Sequence, residues 1–157
     1  MKSIKELYRI GTGPSSSHTM APRRAAEMFQ RRNPDCHSFR VTLYGSLALT
    51  GKGHLTDVAI LETLKPHGEV EIVWEPTIFL PFHPNGMRFE ALNDEGRAVE
   101  TWTVYSVGGG ALAEENSAPI ESADIYPLTK LTDIMHWCQQ NGRTYWEYVE
   151  MHEGKEI

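Results

Sequence analysis

The residues best suited to chemistry lie in one loop near the start of the chain, residues 11–19, with the sequence GTGPSSSHT. This segment, called the serine loop below, combines the imidazole of His18 with the hydroxyl groups of Ser15, Ser16, Ser17 and Thr19. An imidazole can accept a proton near neutral pH, and hydroxyl groups can donate hydrogen bonds to an anionic substrate. The composition favours a ligand site, while the alternative is a helix cap with a surface histidine.

The segment after the serine loop has the pattern of an amphipathic helix that ends near Arg32. Pro22 suits its first turn, and either Ser17 or Thr19 suits its N-cap. Its apolar residues share one face: Ala21, Ala25, Met28 and Phe29. The serine loop is therefore predicted at a helix N-terminus, where free N–H groups favour a carboxylate or phosphate.

Three further segments are rich in small and polar residues: residues 45–57, 83–87 and 106–110. If they meet the serine loop at one end of a sheet, all four would line one polar pocket. The candidate residues in them are His54, Asp57, His83, Asn85, Ser106, Gly108, Gly109 and Gly110. Each segment also has a simpler interpretation. Residues 45–57 could hold only a loop histidine and a helix cap, residues 83–87 a turn histidine, and residues 106–110 a glycine bulge at a sheet edge.

Hydrophobic periodicity predicts a mixture of strands and helices. Strands are predicted over residues 39–44, 70–74, 88–92 and 97–107, the last two as a hairpin, with a further short strand near 120–126. Helices are predicted over residues 4–8, in a turn at 46–49, from 56 or 57 to 64, from a cap at Thr129 to 140, and from a capping box at Thr144 and Glu147 to about 153. We find no internal repeat and no long linker, which predicts one domain.

The bulk composition excludes several classes of protein. The 157 residues carry a net charge of −6 without a dense basic stripe, so nucleic acid is not an expected partner. The sequence has no apolar run of about 18 residues and no apolar signal region at its start, which predicts a cytoplasmic protein without a membrane span. Its two cysteines, Cys36 and Cys138, fit reduced thiols and are too few to hold an iron–sulfur cluster.

Four motifs in the same order resemble one enzyme family over essentially the whole chain. GTGPSSSHT, GSLALTGKGHLTD, HPNGM and YSVGGG are similar to the β domain of the bacterial iron–sulfur L-serine dehydratases. Two positions depart from the family pattern, because Leu55 and Ala21 stand where the family has glycine.

This resemblance implies an enzyme that deaminates L-serine to pyruvate and ammonia without pyridoxal phosphate. It implies a [4Fe–4S] cluster that acts as a Lewis acid on the leaving hydroxyl and is bound by a separate α domain, which this chain lacks. The chain, residues 1–157, is then expected to be a single β domain excised from a longer protein, inactive alone and part of a homodimer in the full enzyme. The implied fold is α+β, a mixed β-sheet with helices on one face, similar to the allosteric substrate-binding domain of phosphoglycerate dehydrogenases.

His18 is the expected general base, because a neutral imidazole suits proton abstraction at neutral pH and this one lies among hydroxyl donors. His54 and His83 are its rivals. The residues expected to bind substrate are Ser15, Ser16, Ser17, Thr19, His54, Asp57, His83, Asn85, Ser106, Gly108 and Gly109. A non-catalytic serine-sensing domain is the alternative. A metal hydrolase using His18, His54, Asp57 and His83 ranks last, since the sequence lacks a histidine pair spaced for one helix face.

Overall fold

The computed structural model of the protein describes residues 3–4, 11–115 and 124–154. Two compact units are present, one formed by Gly11–Ile120 and the other by Met1–Ile10 together with Glu121–Ile157. They are called the larger and the smaller unit below. The interpretation of the chain as one domain excised from a longer protein stays a prediction.

A five-stranded mixed sheet forms the centre of the larger unit. The strands are β1 (Ser38–Tyr44), β2 (Glu69–Glu75), β3 (Gly86–Leu92), β4 (Ala98–Ser106) and β5 (Leu112–Ala113), and their spatial order is β2-β1-β3-β4-β5. β1 and β2 are parallel, while the other neighbouring pairs are antiparallel. This confirms the predicted α+β class with a mixed sheet.

Helices pack against one face of this sheet. A π-helical turn, Ser16–Met20, leads directly into α1 (Ala21–Arg32), and α2 (Gly45–Thr50) and α3 (Thr56–Leu64) form the crossover from β1 to β2. Alternate residues of the strands enter the core, including Val41 of β1, Phe89 of β3 and Val104 of β4, all fully buried. Phe29 of α1 packs on Phe89 with ring centroids 5.5 Å apart, which confirms the apolar face predicted for this helix.

The strand directions bring three of the polar segments to one edge of the sheet. β3 runs antiparallel to both β1 and β4, so the carboxyl ends of β1 and β4 lie at the same edge as the amino end of β3. Residues 45–57 follow β1, residues 83–85 precede β3, and residues 107–110 follow β4. This edge is therefore the place where a shared site could form.

The smaller unit contains α4 (Leu131–Asn141) and α5 (Tyr145–Glu153). The predicted capping box is confirmed, with reciprocal hydrogen bonds between Thr144 and Glu147. The cap predicted at Thr129 is wrong, because Lys130 is the N-cap of α4 and makes no side-chain capping bond. Tyr126, Ile134, Cys138 and Tyr148 form the core of this unit.

Two predictions fall mostly outside the described residues. The helix over residues 4–8 is described only at Ile4, and of the strand near 120–126 only residues 124–126 are described, which are not a strand. Among the helices that the structure describes, none is long and apolar enough to cross a membrane.

Candidate functional site

The serine loop enters α1 through a turn that is capped by Ser15. The Oγ atom of Ser15 accepts a hydrogen bond of 3.2 Å from the backbone N–H of His18, and the backbone N–H of Ser15 donates to Thr19 Oγ1 at 3.2 Å. Ser15 therefore caps this turn, and the prediction of Ser17 or Thr19 as the cap is wrong. Because Ser15 already satisfies these groups, the Ser17 hydroxyl remains available for a different contact.

The His18 imidazole lies between two hydroxyl groups. Its Nδ1 atom is 2.9 Å from Ser17 Oγ, and its Nε2 atom is 3.4 Å from Ser46 Oγ at the start of α2. Partial burial lowers the pKa of His18, the nearby His54 lowers it further, and a hydrogen bond with the Ser46 backbone acts in the opposite direction. His18 is accordingly neutral at neutral pH, as a general base must be.

Two buried threonines fasten the serine loop to the loop after α2. Thr19 Oγ1 donates to the carbonyl oxygen of His54 at 2.7 Å, and Thr56 Oγ1 donates to the carbonyl oxygen of His18 at 2.5 Å. Thr56 is 0% exposed. These bonds fix the backbone at His18, while the hydroxyl groups of Ser17 and Ser46 contact its ring.

Sequence reasoning missed Ser46 as a site residue and treated Thr56 only as a helix cap. The available signal for Ser46 was its place two residues after the end of the inner strand β1, in a glycine-flanked segment. For Thr56 no local signal existed, because its partner, the His18 carbonyl, is 38 residues away in the chain.

A hydrogen bond to the last residue of α2 determines which ring nitrogen of His54 carries the proton. Its Nδ1 atom is 3.0 Å from the carbonyl oxygen of Thr50, and a carbonyl oxygen only accepts, so Nδ1 carries the proton. In the neutral ring the lone pair therefore lies on Nε2, which could accept a proton. His54 thus remains a rival base to His18, 4.9 Å away between ring centroids.

The segment before β3 joins the site through its backbone. The backbone N–H of Ser46 donates to the carbonyl oxygen of Pro84 at 3.0 Å, which brings residues 83–85 next to α2. His83 Nδ1 accepts from the backbone N–H of Asn85 at 3.1 Å. In a neutral His83 ring the proton is then on Nε2, so this histidine is arranged as a donor and not as a base.

Asn85 and Ser106 each carry one buried polar atom that has no hydrogen-bond partner in the described part of the chain. Asn85 Nδ2 donates to the Ser106 carbonyl oxygen at 3.3 Å, while Asn85 Oδ1 and Ser106 Oγ make no hydrogen bond among the described residues. Buried polar groups without partners are rare in folded proteins, and they often mark the place of a ligand or water. Both atoms are consistent with the predicted substrate contacts.

The glycines after β4 form a tight turn into β5. Gly108, Gly109 and Gly110 have φ values of 102°, 55° and 74°, and a Cβ atom at Gly108 or Gly109 would meet no other atom. These two glycines are therefore needed for backbone shape and not for close contact with another described atom.

The structure thus brings together part of the predicted set. Ser15, Ser17, His18, Thr19 and His54 form one hydrogen-bonded or ring-contact group, and His83, Asn85 and Ser106 form a second that is linked to the first through Ser46 and Pro84. No hydrogen bond among the described residues connects the side chains of Ser16 and Asp57 to this group, and the same holds for the backbone of Gly108, which precedes Gly109 in the turn after β4. Their substrate-binding assignments stay predictions.

The cysteines do not form a site for an iron–sulfur cluster. Cys36 lies in the larger unit and donates from Sγ to the Ser38 carbonyl oxygen at 3.1 Å, whereas Cys138 is buried in the smaller unit. Within the described ranges, no group of three or more His, Cys, Asp or Glu side chains could hold a metal ion. The donor set therefore does not fit a cluster, and it gives no support to a metal hydrolase using His18, His54, Asp57 and His83.

Comparison with known proteins places these features in a family. The family model described as serine dehydratase beta chain matches residues 3–70 and 62–117. The chain is 38% identical to an L-serine dehydratase of Streptomyces coelicolor over 89% of its own length and 41% of the relative. It is 39% identical to an L-serine dehydratase of Mycobacterium bovis, over 88% of the chain and 39% of the relative.

A third relative, L-serine dehydratase 2 of Escherichia coli, is 34% identical over 90% of the chain and 41% of the relative. The chain thus spans about two fifths of the length of these relatives. Both the family model and these identities agree with the motifs around His18, and the chain belongs to the serine dehydratase beta chain family.

Proposed function

We propose that this chain is the β domain of an L-serine dehydratase, which deaminates L-serine to pyruvate and ammonia together with an iron–sulfur α domain. The observation that carries this proposal is the neutral His18 imidazole held between the hydroxyls of Ser17 and Ser46 at the entrance to α1. Its position in a single π-helical turn adds support, since such turns frequently occur at functional sites.

His18 removes the α proton of L-serine in this proposal. When Nδ1–H donates to Ser17 Oγ, the Nε2 lone pair faces the substrate beside Ser46. Loss of the α proton and of the β-hydroxyl, which leaves as water, gives an aminoacrylate. This product tautomerises to an imine and is hydrolysed to pyruvate and ammonia. The unshifted pKa of an imidazole is near 6.5, so burial leaves His18 unprotonated at the start of the cycle.

The serine loop binds the substrate carboxylate in the same proposal. The Ser16 hydroxyl is exposed and makes no hydrogen bond among the described residues. The backbone N–H groups of Ser16 and Ser17 likewise have no acceptor among these residues, whereas those of Ser15, His18, Thr19 and Met20 already bond within the turn. A hydrogen bond to a charged group stabilises by roughly 1.5–3 kcal/mol, so two or three such donors would orient the substrate over His18.

The proposal assigns the [4Fe–4S] cluster to the α domain, because the two cysteines of this chain do not form a ligand set. It also includes the homodimer and the cytoplasmic location expected from the family resemblance. One consequence is direct: the purified chain of 157 residues should form no pyruvate from L-serine unless an α domain is added. Pyruvate formation by the chain alone would contradict the proposal that the reaction needs a cluster bound by the α domain.

The deciding experiment compares two histidine variants in the enzyme that contains an α domain. General base catalysis contributes about 10²–10⁴-fold, so His18→Ala should lower kcat by that factor without changing the absorption spectrum of the cluster. His136→Ala, at an exposed histidine of the smaller unit, is the control and should retain wild-type kcat.

A His18→Ala enzyme within a few-fold of the wild-type kcat would transfer the base function to His54 or to the α domain. A serine-sensing domain gives a different result, namely saturable L-serine binding without turnover when every component is present. These outcomes separate the catalytic proposal from its non-catalytic alternative.

A further inference from the structure

Arg88 is a partly buried arginine that forms no ion pair with any residue that the structure describes. It lies in β3 between the core residues Met87 and Phe89, so its side chain is on the opposite face of the sheet, called the polar face below. Its Nε atom is buried without a hydrogen-bond partner, and Arg88 forms no ion pair within the described part of the chain. By contrast, Arg40 on β1 forms ion pairs with Glu71 and Glu90.

Residues with hydroxyl-bearing side chains flank Arg88 on the polar face. In the strand register Arg88 lies opposite Thr42 of β1 and Thr103 of β4. The Arg88 Cζ atom is 5.7 Å from the Tyr44 ring centroid, and its charge acts on the phenol of Tyr105. None of the hydroxyl groups of Thr42, Thr103, Tyr44 and Tyr105 donates a hydrogen bond to a described residue, or accepts one from it. Five donor side chains without acceptors therefore share one part of the polar face.

Apolar side chains form the wall of this region. A Cβ atom at Gly86 would lie 2.7 Å from Leu80 Cδ1, which shows that Leu80 lies directly over the strand next to Arg88. The Phe82 ring packs on Tyr105 with centroids 4.8 Å apart. Burial raises the pKa of Tyr105, with the charge of Glu115 adding to it, so the phenol is protonated and can donate at neutral pH.

We propose that Arg88 anchors the carboxylate of a small monoanionic ligand on the polar face, with Thr42, Thr103, Tyr44 and Tyr105 as further hydrogen-bond donors. A guanidinium matches a carboxylate in a two-point geometry. A monocarboxylate fits better than a dianionic phosphate, because Arg88 is one positive charge and the carboxylate of Glu115 acts on the same phenol of Tyr105. The Leu80 and Phe82 wall suits a short apolar tail. This site uses no residue of the serine loop and is independent of the proposed reaction.

The test follows the Arg88 side chain directly by NMR. Sodium propionate is titrated into the protein labelled with ¹⁵N, and the Arg88 Nε–Hε signal is assigned by its loss in Arg88→Lys. Sodium phosphate and sodium chloride at equal ionic strength are the control titrations. We expect a saturable shift of the Arg88 signal with propionate, at least 10-fold weaker affinity for phosphate, and no saturation with chloride.

Two arginine variants distinguish propionate binding at Arg88 from a nonspecific effect of the positive charge of the protein. Arg88→Met should weaken propionate binding at least 10-fold, whereas Arg24→Met, which removes an exposed arginine of α1, should leave it unchanged. If Arg88→Met does not fold, Thr103→Val should still weaken binding several-fold. Absence of a saturable Arg88 shift overturns the proposal, as does equal or tighter phosphate binding. The proposal is also overturned if the wild-type protein does not bind propionate and Arg88→Met changes the oligomeric state. Arg88 would then pair with a carboxylate of another protein chain.

Discussion

The imidazole rings of His18 and His54 lie with their centroids 4.9 Å apart and their planes at 42°. At this distance one protonated ring opposes protonation of the other. Burial of His18 acts in the same direction and is the larger cause of its lowered pKa. The pair therefore keeps an uncharged imidazole at the end of the serine loop, and it makes the protonation of His18 sensitive to changes at His54.

Replacing His54 should raise the pKa of His18. In His54→Gln the charge effect of the neighbour is gone while burial remains, so the pKa should move towards 6.5 without reaching it. The measurement is an NMR titration of the His18 ring Cε1–H signal. His136→Gln in the smaller unit serves as the control and should leave that titration unchanged. A His18 pKa that falls or stays constant in His54→Gln would show that the two rings do not interact.

The lowered pKa of His18 also predicts how stability depends on pH. Because the folded-state pKa lies below the unfolded value of about 6.5, the unfolded chain binds this proton first as the pH falls. The contribution of neutral His18 to the free energy of unfolding is fully present above about pH 6.5, and it is lost as the pH falls towards the folded-state pKa. Urea unfolding of wild type and His18→Gln at about pH 7.5 and pH 5.5 should show a wild-type advantage that shrinks at the lower pH. A wild-type advantage that grows on acidification would contradict the sign of this shift.

Leu55 adopts a left-handed backbone conformation, with φ of 57° and ψ of 35°, at the residue before α3. This conformation costs a non-glycine residue about 1–2 kcal/mol, while glycine loses roughly 0.5–1 kcal/mol more chain entropy on folding. The Leu55 side chain is 46% exposed, so little packing is lost on its removal. We expect Leu55→Gly to increase the free energy of unfolding by about 0.5–1 kcal/mol in urea denaturation.

The matched control for that change is Leu55→Ala. Alanine also removes the leucine side chain but keeps a Cβ atom, so the strain remains and no gain is expected. Equal stability of the glycine and alanine variants would show that the backbone at this residue carries no strain.

Much of the fold was readable from the sequence, whereas several contacts of the site were not. The alternation of apolar residues in β1 and β4 predicted these two strands. The glycine and polar residues at the ends of the strands predicted the segments that meet at one edge of the sheet. The parallel pairing of β1 and β2 depends on how α2 and α3 pack against the sheet, and this packing cannot be predicted from local sequence patterns. The cap at Ser15 was missed because several hydroxyls in succession offer equivalent local hydrogen bonds, and only the folded turn selects one of them.

Two neighbouring serines should respond differently to mutation. Ser15 Oγ accepts from the His18 N–H and so holds the turn, whereas the exposed Ser16 hydroxyl is proposed to bind the substrate carboxylate. Loss of an N-cap costs about 0.5–2 kcal/mol, so Ser15→Ala should lower the free energy of unfolding and reduce kcat by misplacing His18. Ser16→Ala should leave stability unchanged and mainly raise KM for L-serine. Steady-state kinetics with an α domain present, together with urea unfolding, separates the two; unchanged KM and kcat in Ser16→Ala would remove Ser16 from the site.

Gly45 controls the approach of α2 to the segment before β3. It has φ of 49°, and a Cβ atom there would lie 2.7 Å from the carbonyl oxygen of Pro84 and 2.8 Å from Phe79 Cδ1. Strain of this kind costs about 1–3 kcal/mol for the backbone, and displacement of the neighbours adds to it. We therefore expect Gly45→Ala to lower the free energy of unfolding by roughly 2 kcal/mol or more.

The same substitution should disturb His18. The Ser46 N–H donates to Pro84, the residue that a new Cβ would displace, and the Ser46 hydroxyl is the neighbour of His18 Nε2. A shifted Ser46 should alter the His18 titration and lower kcat even where the protein remains folded. Gly53→Ala is the matched control, because Gly53 lacks a positive φ and its nearest contact would be 3.5 Å; it should change stability by less than about 0.5 kcal/mol. Similar losses in both variants would show that general loop rigidity, and not the contact between Gly45 and Pro84, determines the position of Ser46.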